Sequence, residues 1–175
     1  MPELHNREQV ERYLAEIFSP NRTYQMLEFP HGWVCTPTLT QEEIAAGQDV
    51  GLTKLAVDSR TGTVIEYPSW APEMVAEDYI EAMQTGRPPI GRQVYPRQWR
   101  VTYRRMQETP ETIEYRVTVE SQAQPPEPSE EYPLLINKQT LTYQGTGHLA
   151  GIVLAWAEMQ SSRDGTWPEQ GTFEE

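Results

Sequence analysis

Along NREQVERYLAEIF the apolar side chains Val10, Tyr13, Leu14, Ile17 and Phe18 recur at i, i+3, i+4, i+7 and i+8, which predicts an amphipathic helix. Asn6 stands at its N-cap with Gln9 three residues on, the arrangement of a capping box, and Ser19-Pro20-Asn21 stops it because proline cannot continue the hydrogen-bond ladder. The period then changes to two. Thr23 to Phe29 and Trp33 to Leu39 read as a hairpin around Pro30, His31 and Gly32. In TQEEIAAG, Thr40 caps a single helical turn over Glu43 and Gly47 ends it. LTKLAVD and TVIEYP supply two further strands joined by DSRTG. SWAPEMVAEDYIEAMQTG reads as a second amphipathic helix, with Ser69 as N-cap, Pro72 in the first turn, Val75, Tyr79, Ala82 and Met83 as its apolar stripe and Gly86 closing it.

RPPIGRQVYP is dense in chain-breaking residues and reads as a connector, after which the strand periodicity returns. Trp99 to Arg105 is a strand, and Ile113, Tyr115, Val117 and Val119 alternate with polar residues in another. QAQPPEPSEE reads as a mobile acidic loop, PLLINKQTLTY as a hairpin, and GHLAGIVLAWAEM as a helix with Leu149, Ile152, Val153, Trp156 and Ala157 on one face. The expected organisation is a first α+β unit over 1–86, a connector over 87–98, a second, divergent α+β unit over 99–160 and an irregular tail over 161–175. The fold class is α+β, an antiparallel sheet flanked by helices. The order of elements suggests two similar repeats, with NKQT answering DSRT and Leu141 standing where the first copy has Gly62.

Composition narrows the functional classes. The chain has 175 residues and a net charge of -12, yet Arg87, Arg92, Arg97, Arg100, Arg104 and Arg105 form a stretch that holds no acid. An acidic body on both sides of that stretch repels nucleic acid and anionic membrane and favours cationic partners. The arginines are expected to pair internally with the acidic flanks. No apolar run approaches the length of a membrane span and the polar start MPELHNREQVER does not resemble a signal peptide, so a cytoplasmic protein is expected. A single cysteine, Cys35, excludes an internal disulfide framework, and no metal spacing or nucleotide-binding motif is present, so neither a metal nor another cofactor is expected.

The combination of GWV in a strand, a polar insertion, a strand ending LAVD, the turn DSRTG, the following valine and a helix carrying tyrosine resembles the YrhB-like immunity proteins of bacterial polymorphic toxin systems. Members of that family read as a tryptophan strand followed by a VD(K/R)xTG hairpin. The resemblance spans about residues 6–86 and continues in outline over 95–160. It implies a non-enzymatic protein that binds and neutralises a cognate toxin of the same cell.

The candidate chemistry follows from residue types. Asp58 is either a functional carboxylate or the first residue of a turn, and turn chemistry accounts for Asp58, Thr61 and Gly62 without a ligand. Cys35 and His31 suggest a thiol and its base, but in an extended strand residues four apart lie about 13 Å from each other, and a buried free cysteine is the commoner case. His148 lies in a glycine-rich segment ahead of a helix, where capping explains it. Glu73, Glu77, Asp78 and Glu81 on the second helix, with Glu127, Glu130 and Glu131 in the acidic loop, are the candidate surfaces for a basic partner, and Trp70 is the aromatic anchor. Two other classes stay open: a small enzyme using Cys35 or His148, and an adaptor or secretion chaperone for an effector.

Overall fold

The computed structural model describes residues 2–175, and the chain divides after Pro96 into two units, the second spanning Arg97–Glu175. Among the described residues, four helices and two antiparallel five-stranded sheets make an α+β fold. In the first unit, α1 (Arg7–Ile17) starts at a complete capping box: Asn6 accepts from the Gln9 amide and the Gln9 side chain reaches back to the Asn6 amide. The short α2 (Gln41–Ala45) is capped by Thr40 and Glu43 in the same way. Both observations match the sequence pattern.

The strands β1 (Tyr24–Phe29), β2 (Gly32–Pro37), β3 (Lys54–Asp58), β4 (Val64–Tyr67) and β5 (Arg92–Tyr95) pair in chain order. Strand alternation sends Leu55 and Val57 to one face, where they pack with Val10 and Leu14 of α1, and Ala56 to the other, with Val75, Ala76 and Tyr79 of α3 (Pro72–Thr85). The sheet is therefore covered on both faces. Two details differ from the sequence reading. Ser69 does not cap α3: the N-cap is Ala71 without a side-chain bond, and Pro72 opens the helix, where a missing N–H costs nothing. The segment read as a connector carries β5, which completes the sheet on β4 through a bulge.

The second unit runs β6 (Trp99–Glu108), β7 (Thr112–Ser121), β8 (Glu130–Asn137), β9 (Tyr143–Gln144), α4 (Ala150–Asp164) and β10 (Gln170–Glu174). Its strand order is β10-β6-β7-β8-β9. The tail expected to be irregular thus contains an edge strand, held by Phe173 in the core and by pairing from Gln170↔Arg104 to Glu174↔Arg100. Val101, Tyr103, Tyr115, Val117, Leu134 and Ile136 pack with Val153 and Ala157 of α4. The opposite face presents Arg100, Thr102, Arg104 and Arg116 to solvent. On α4 the buried residues are Ala150, Val153 and Ala157, while Trp156 is partly exposed and stacks on Phe173, so the buried stripe is narrower than the sequence suggested.

The final strand joins β4 in the first unit but β6 in the second, so the two sheets are not copies in strand order. What they share is one turn. Asp58 Oδ1 accepts from the amides of Arg60 and Thr61, and Asn137 Oδ1 accepts from those of Gln139 and Thr140. The Gly62 and Leu141 amides bond back to the carbonyls of Asp58 and Asn137. Both sit in the left-handed region, at φ 74° and 55°. Leucine is disfavoured there, and Leu141 is exposed. Leu141→Gly is therefore expected to stabilise the second unit by about 0.5–1 kcal/mol, read as a raised midpoint in urea unfolding.

Candidate functional site

The DSRTG turn is held from α1 and α3. Tyr79 of α3 donates its hydroxyl to Asp58 Oδ2 at 2.7 Å, and Tyr13 of α1 donates to the Gly62 carbonyl at 2.7 Å. Asp58 is 2% exposed, and both its oxygens accept hydrogen bonds. Burial alone raises its pKa; the bonds from Tyr79, Thr61 and Arg60 outweigh burial and hold the carboxyl below its ordinary value. The arrangement positions a turn, and burial keeps the Asp58 carboxylate away from solvent. Asp58→Asn keeps the Oδ1 contacts and presents an amide to the Tyr79 hydroxyl, which can accept. A cost of about 1 kcal/mol with an intact fold is expected from denaturant titration.

A second carboxylate–tyrosine pair mirrors the first. Asp78 of α3 accepts from the Tyr67 hydroxyl of β4 at 2.8 Å, from Arg87 Nη2 at 2.7 Å and from the Ile90 amide at 3.0 Å. In one pair a strand-end acid meets a helix tyrosine; in the other a helix acid meets a strand tyrosine. Asp78 is 7% exposed. Expected among the partner-facing acids, Asp78 has its carboxylate turned inward, where it ties α3 to the segment that leads into β5. Again burial raises the pKa, and the donors Ile90, Tyr67 and Arg87 bring it below the ordinary value.

The other acids of α3 lie outside. Glu73, Glu77 and Glu81 are exposed and four residues apart, which places them along one side of the helix. Glu81 shares Arg87 with Asp78. Trp70 precedes this stripe, half-buried, its ring 6.0 Å from that of Tyr67. The acids expected in the proline-rich loop divide. Glu127 is exposed in the loop, whereas Glu130 and Glu131 belong to β8, one accepting from the His148 amide and the other paired with Arg116. The structure thus places Trp70, Glu73, Glu77 and Glu81 on one helix and its approach, and Glu127, Glu130 and Glu131 in the other unit.

The basic stretch is largely engaged at home. Arg87 pairs with Asp78 and Glu81, Arg92 with Glu66, Arg100 with Glu174, and Arg105 with Glu108 and Glu169. Cys35 is buried in the core under α1, where burial pushes its thiol up to about 12. It is protonated at neutral pH and remote from solvent, the opposite of an activated thiol. His31 packs beside the rings of Phe29 and Tyr79, which also meet each other, and His148 stands edge-on to Trp99, 4.8 Å between centroids. Among the described residues no three of His, Cys, Asp and Glu gather as a metal-holding group, and no helix is long and apolar enough to cross a membrane.

Sequence reasoning missed the partners of the turn, Tyr13 and Tyr79, and the Tyr67–Asp78–Arg87 network. A signal for the latter was present: Val75, Asp78, Tyr79 and Ala82 stand at i, i+3, i+4 and i+7, so the acid falls within the buried stripe.

Residues 5–87 match the family model of the immunity protein 35-like domain, a match consistent with an immunity protein family of toxin systems. The matched stretch contains α1 to α3 and β1 to β4, and ends at Arg87, the partner of Asp78. Comparison with curated proteins and with solved structures finds no match.

Proposed function

We propose that this protein is an immunity protein that works by binding, holding a cognate toxin of its own cell in an inactive complex in the cytoplasm, with no chemistry of its own. The match of residues 5–87 to the immunity protein 35-like domain carries this reading. The contact surface is the outer side of α3. Glu73, Glu77 and Glu81 repeat at the spacing where like charges destabilise a helix by a few tenths of a kcal/mol; Arg87, beyond the helix end, pairs with Glu81, while Glu73 and Glu77 hold no ion pair among the described residues. A stripe kept against that cost suits a basic toxin surface, and the net charge of -12 speeds the encounter. Trp70, pinned against Tyr67, supplies a rigid apolar anchor. Glu127, Glu130 and Glu131 are the second candidate acidic surface, with Glu130 engaged by the His148 amide and Glu131 by Arg116.

Isolation of the chain from its native cell under mild conditions, with mass spectrometry of what accompanies it, tests the reading. One near-stoichiometric protein with a toxin-like domain is expected; a broad set of clients overturns the proposal in favour of an adaptor. With that partner in hand, the double replacement Glu73→Lys and Glu77→Lys is expected to slow association about tenfold at low salt and much less at high salt. An unchanged association rate removes α3 from the interface.

A further inference from the structure

Where the β1–β2 turn meets the segment ahead of α1, a cavity of about 440 Å³ opens, lined by Leu4, His5, Glu28, Phe29, Trp33 and Ser59, among others. Its size falls within the range of small-ligand sites. Trp33 donates its indole N–H to the Leu4 carbonyl at 3.1 Å, so the ring is pinned and its polar edge is spent. What it offers a ligand is its π-face. Glu28 stands directly opposite Trp33 in the strand register, which puts both side chains on the same side of the sheet. The Glu28 side chain is exposed, and among the described residues no ion pair engages its carboxylate. Among the described residues no lysine or arginine lines the cavity, and the Ser59 hydroxyl is committed to the His31 carbonyl at 3.1 Å.

An immobilised indole beside an unneutralised carboxylate, in a strongly acidic chain, is complementary to a cation on an aliphatic stem. Of the two common ones, a guanidinium lies flat on an aromatic ring while forking to a carboxylate, whereas an ammonium is a compact, strongly hydrated point charge. We propose that this cavity receives an arginine side chain of a protein partner. The site lies on the side of the sheet that α1 covers, among Leu4 and Trp33, and does not draw on the acidic stripe of α3. It therefore stands or falls separately from the proposed contact there.

The test uses the full-length chain, labelled with ¹⁵N, and N-acetylarginine amide as the probe. N-acetylcitrulline amide, which has nearly the same shape without the charge, is the control. Saturable shifts of the Trp33 indole N–H and the Gly32 amide are expected with the arginine probe, with a dissociation constant in the millimolar range usual for so small a ligand. The citrulline probe and the Glu28→Gln variant are each expected to bind at least about threefold more weakly. Since the Glu28 side chain is exposed and holds no ion pair among the described residues, that variant keeps the remaining spectrum unchanged. Equal shifts with citrulline, unchanged affinity in Glu28→Gln, or no saturable shift at Trp33 overturns the proposal. If a toxin is identified and Glu28→Gln leaves its dissociation rate unaltered, the cavity is likewise excluded while the immunity reading survives.

Discussion

Gly32→Ala is expected to unfold the first unit. A Cβ at this position would stand 1.9 Å from the Val57 carbonyl oxygen and 2.9 Å from the Ser59 amide, both backbone atoms of the neighbouring strand and its turn. No rotamer change relieves such a clash, because the obstacle is main chain. The strands must separate, and with them go the Ser59 amide bond to the His31 carbonyl and the register that brings Gly32 opposite Asp58. Overpacking of a well-packed core costs about 1–3 kcal/mol where side chains can adjust; a backbone collision lies at or above the top of that range. In a ¹H–¹⁵N spectrum of the full-length variant, the dispersed resonances of β1 to β4 are expected to collapse while those of β6 to β8 persist. A variant with native dispersion throughout would show that β2 and β3 have more freedom than this close approach implies.

The second large effect comes from removing both buried carboxylates. Asp58→Ala and Asp78→Ala each leave a buried tyrosine hydroxyl without its acceptor and are expected to cost about 2–3 kcal/mol apiece. Arg87 is about one-third exposed and retains Glu81, so its own charge adds little to the second figure. Together the losses approach the whole stability of a small unit. The same pairs set the pH limits of the wild type. Both carboxyls have folded pKa values below their unfolded ones, near 4. Their contribution is complete above about pH 4 and is lost as pH falls through the folded values. The phenols of Tyr67 and Tyr79 are raised, first by burial and then by the adjacent carboxylates. Their contribution is complete below about pH 10 and declines as pH rises toward the folded values. Urea midpoints of the first unit are therefore expected to form a plateau with an acid and an alkaline shoulder. In Asp78→Ala both shoulders are expected to be shallower, and an unchanged profile would remove the pairs as its cause.

Elements whose information is local were legible in the sequence. The boxes at Asn6–Gln9 and Thr40–Glu43 and the alternation of Ile113 to Val119 are set by neighbours a few residues away. The strands β5 and β10 were not legible, for a common reason. Each is a short edge strand with a single buried apolar residue, Val94 or Phe173, amid proline, glycine and acids. What makes them strands is a partner distant in sequence, and no period within the segment reports it. The same holds for the candidate surface. The exposed stripe Glu73, Glu77 and Glu81 follows from helical spacing, but the withdrawal of Asp78 from it depends on Tyr67 and on the loop after α3, whose positions no local pattern gives.

Because Asp58–Thr63 and Asn137–Thr142 close on the same hydrogen bonds, they behave as one spare part fitted in two places, but the fit runs in one direction. Asp58–Thr63 grafted between β8 and β9 brings a glycine to the left-handed position and loses the ion pair of Lys138 with Glu108. The reverse graft puts leucine at position 62, where a Cβ meets the Tyr13 hydroxyl at 2.5 Å and the Pro2 ring at 2.7 Å. It also removes the carboxylate that receives the Tyr79 hydroxyl. Exchange is thus tolerated only from the turn enclosed by two helices toward the turn that lies open, which makes the turn between β8 and β9 the place to insert, label or tether.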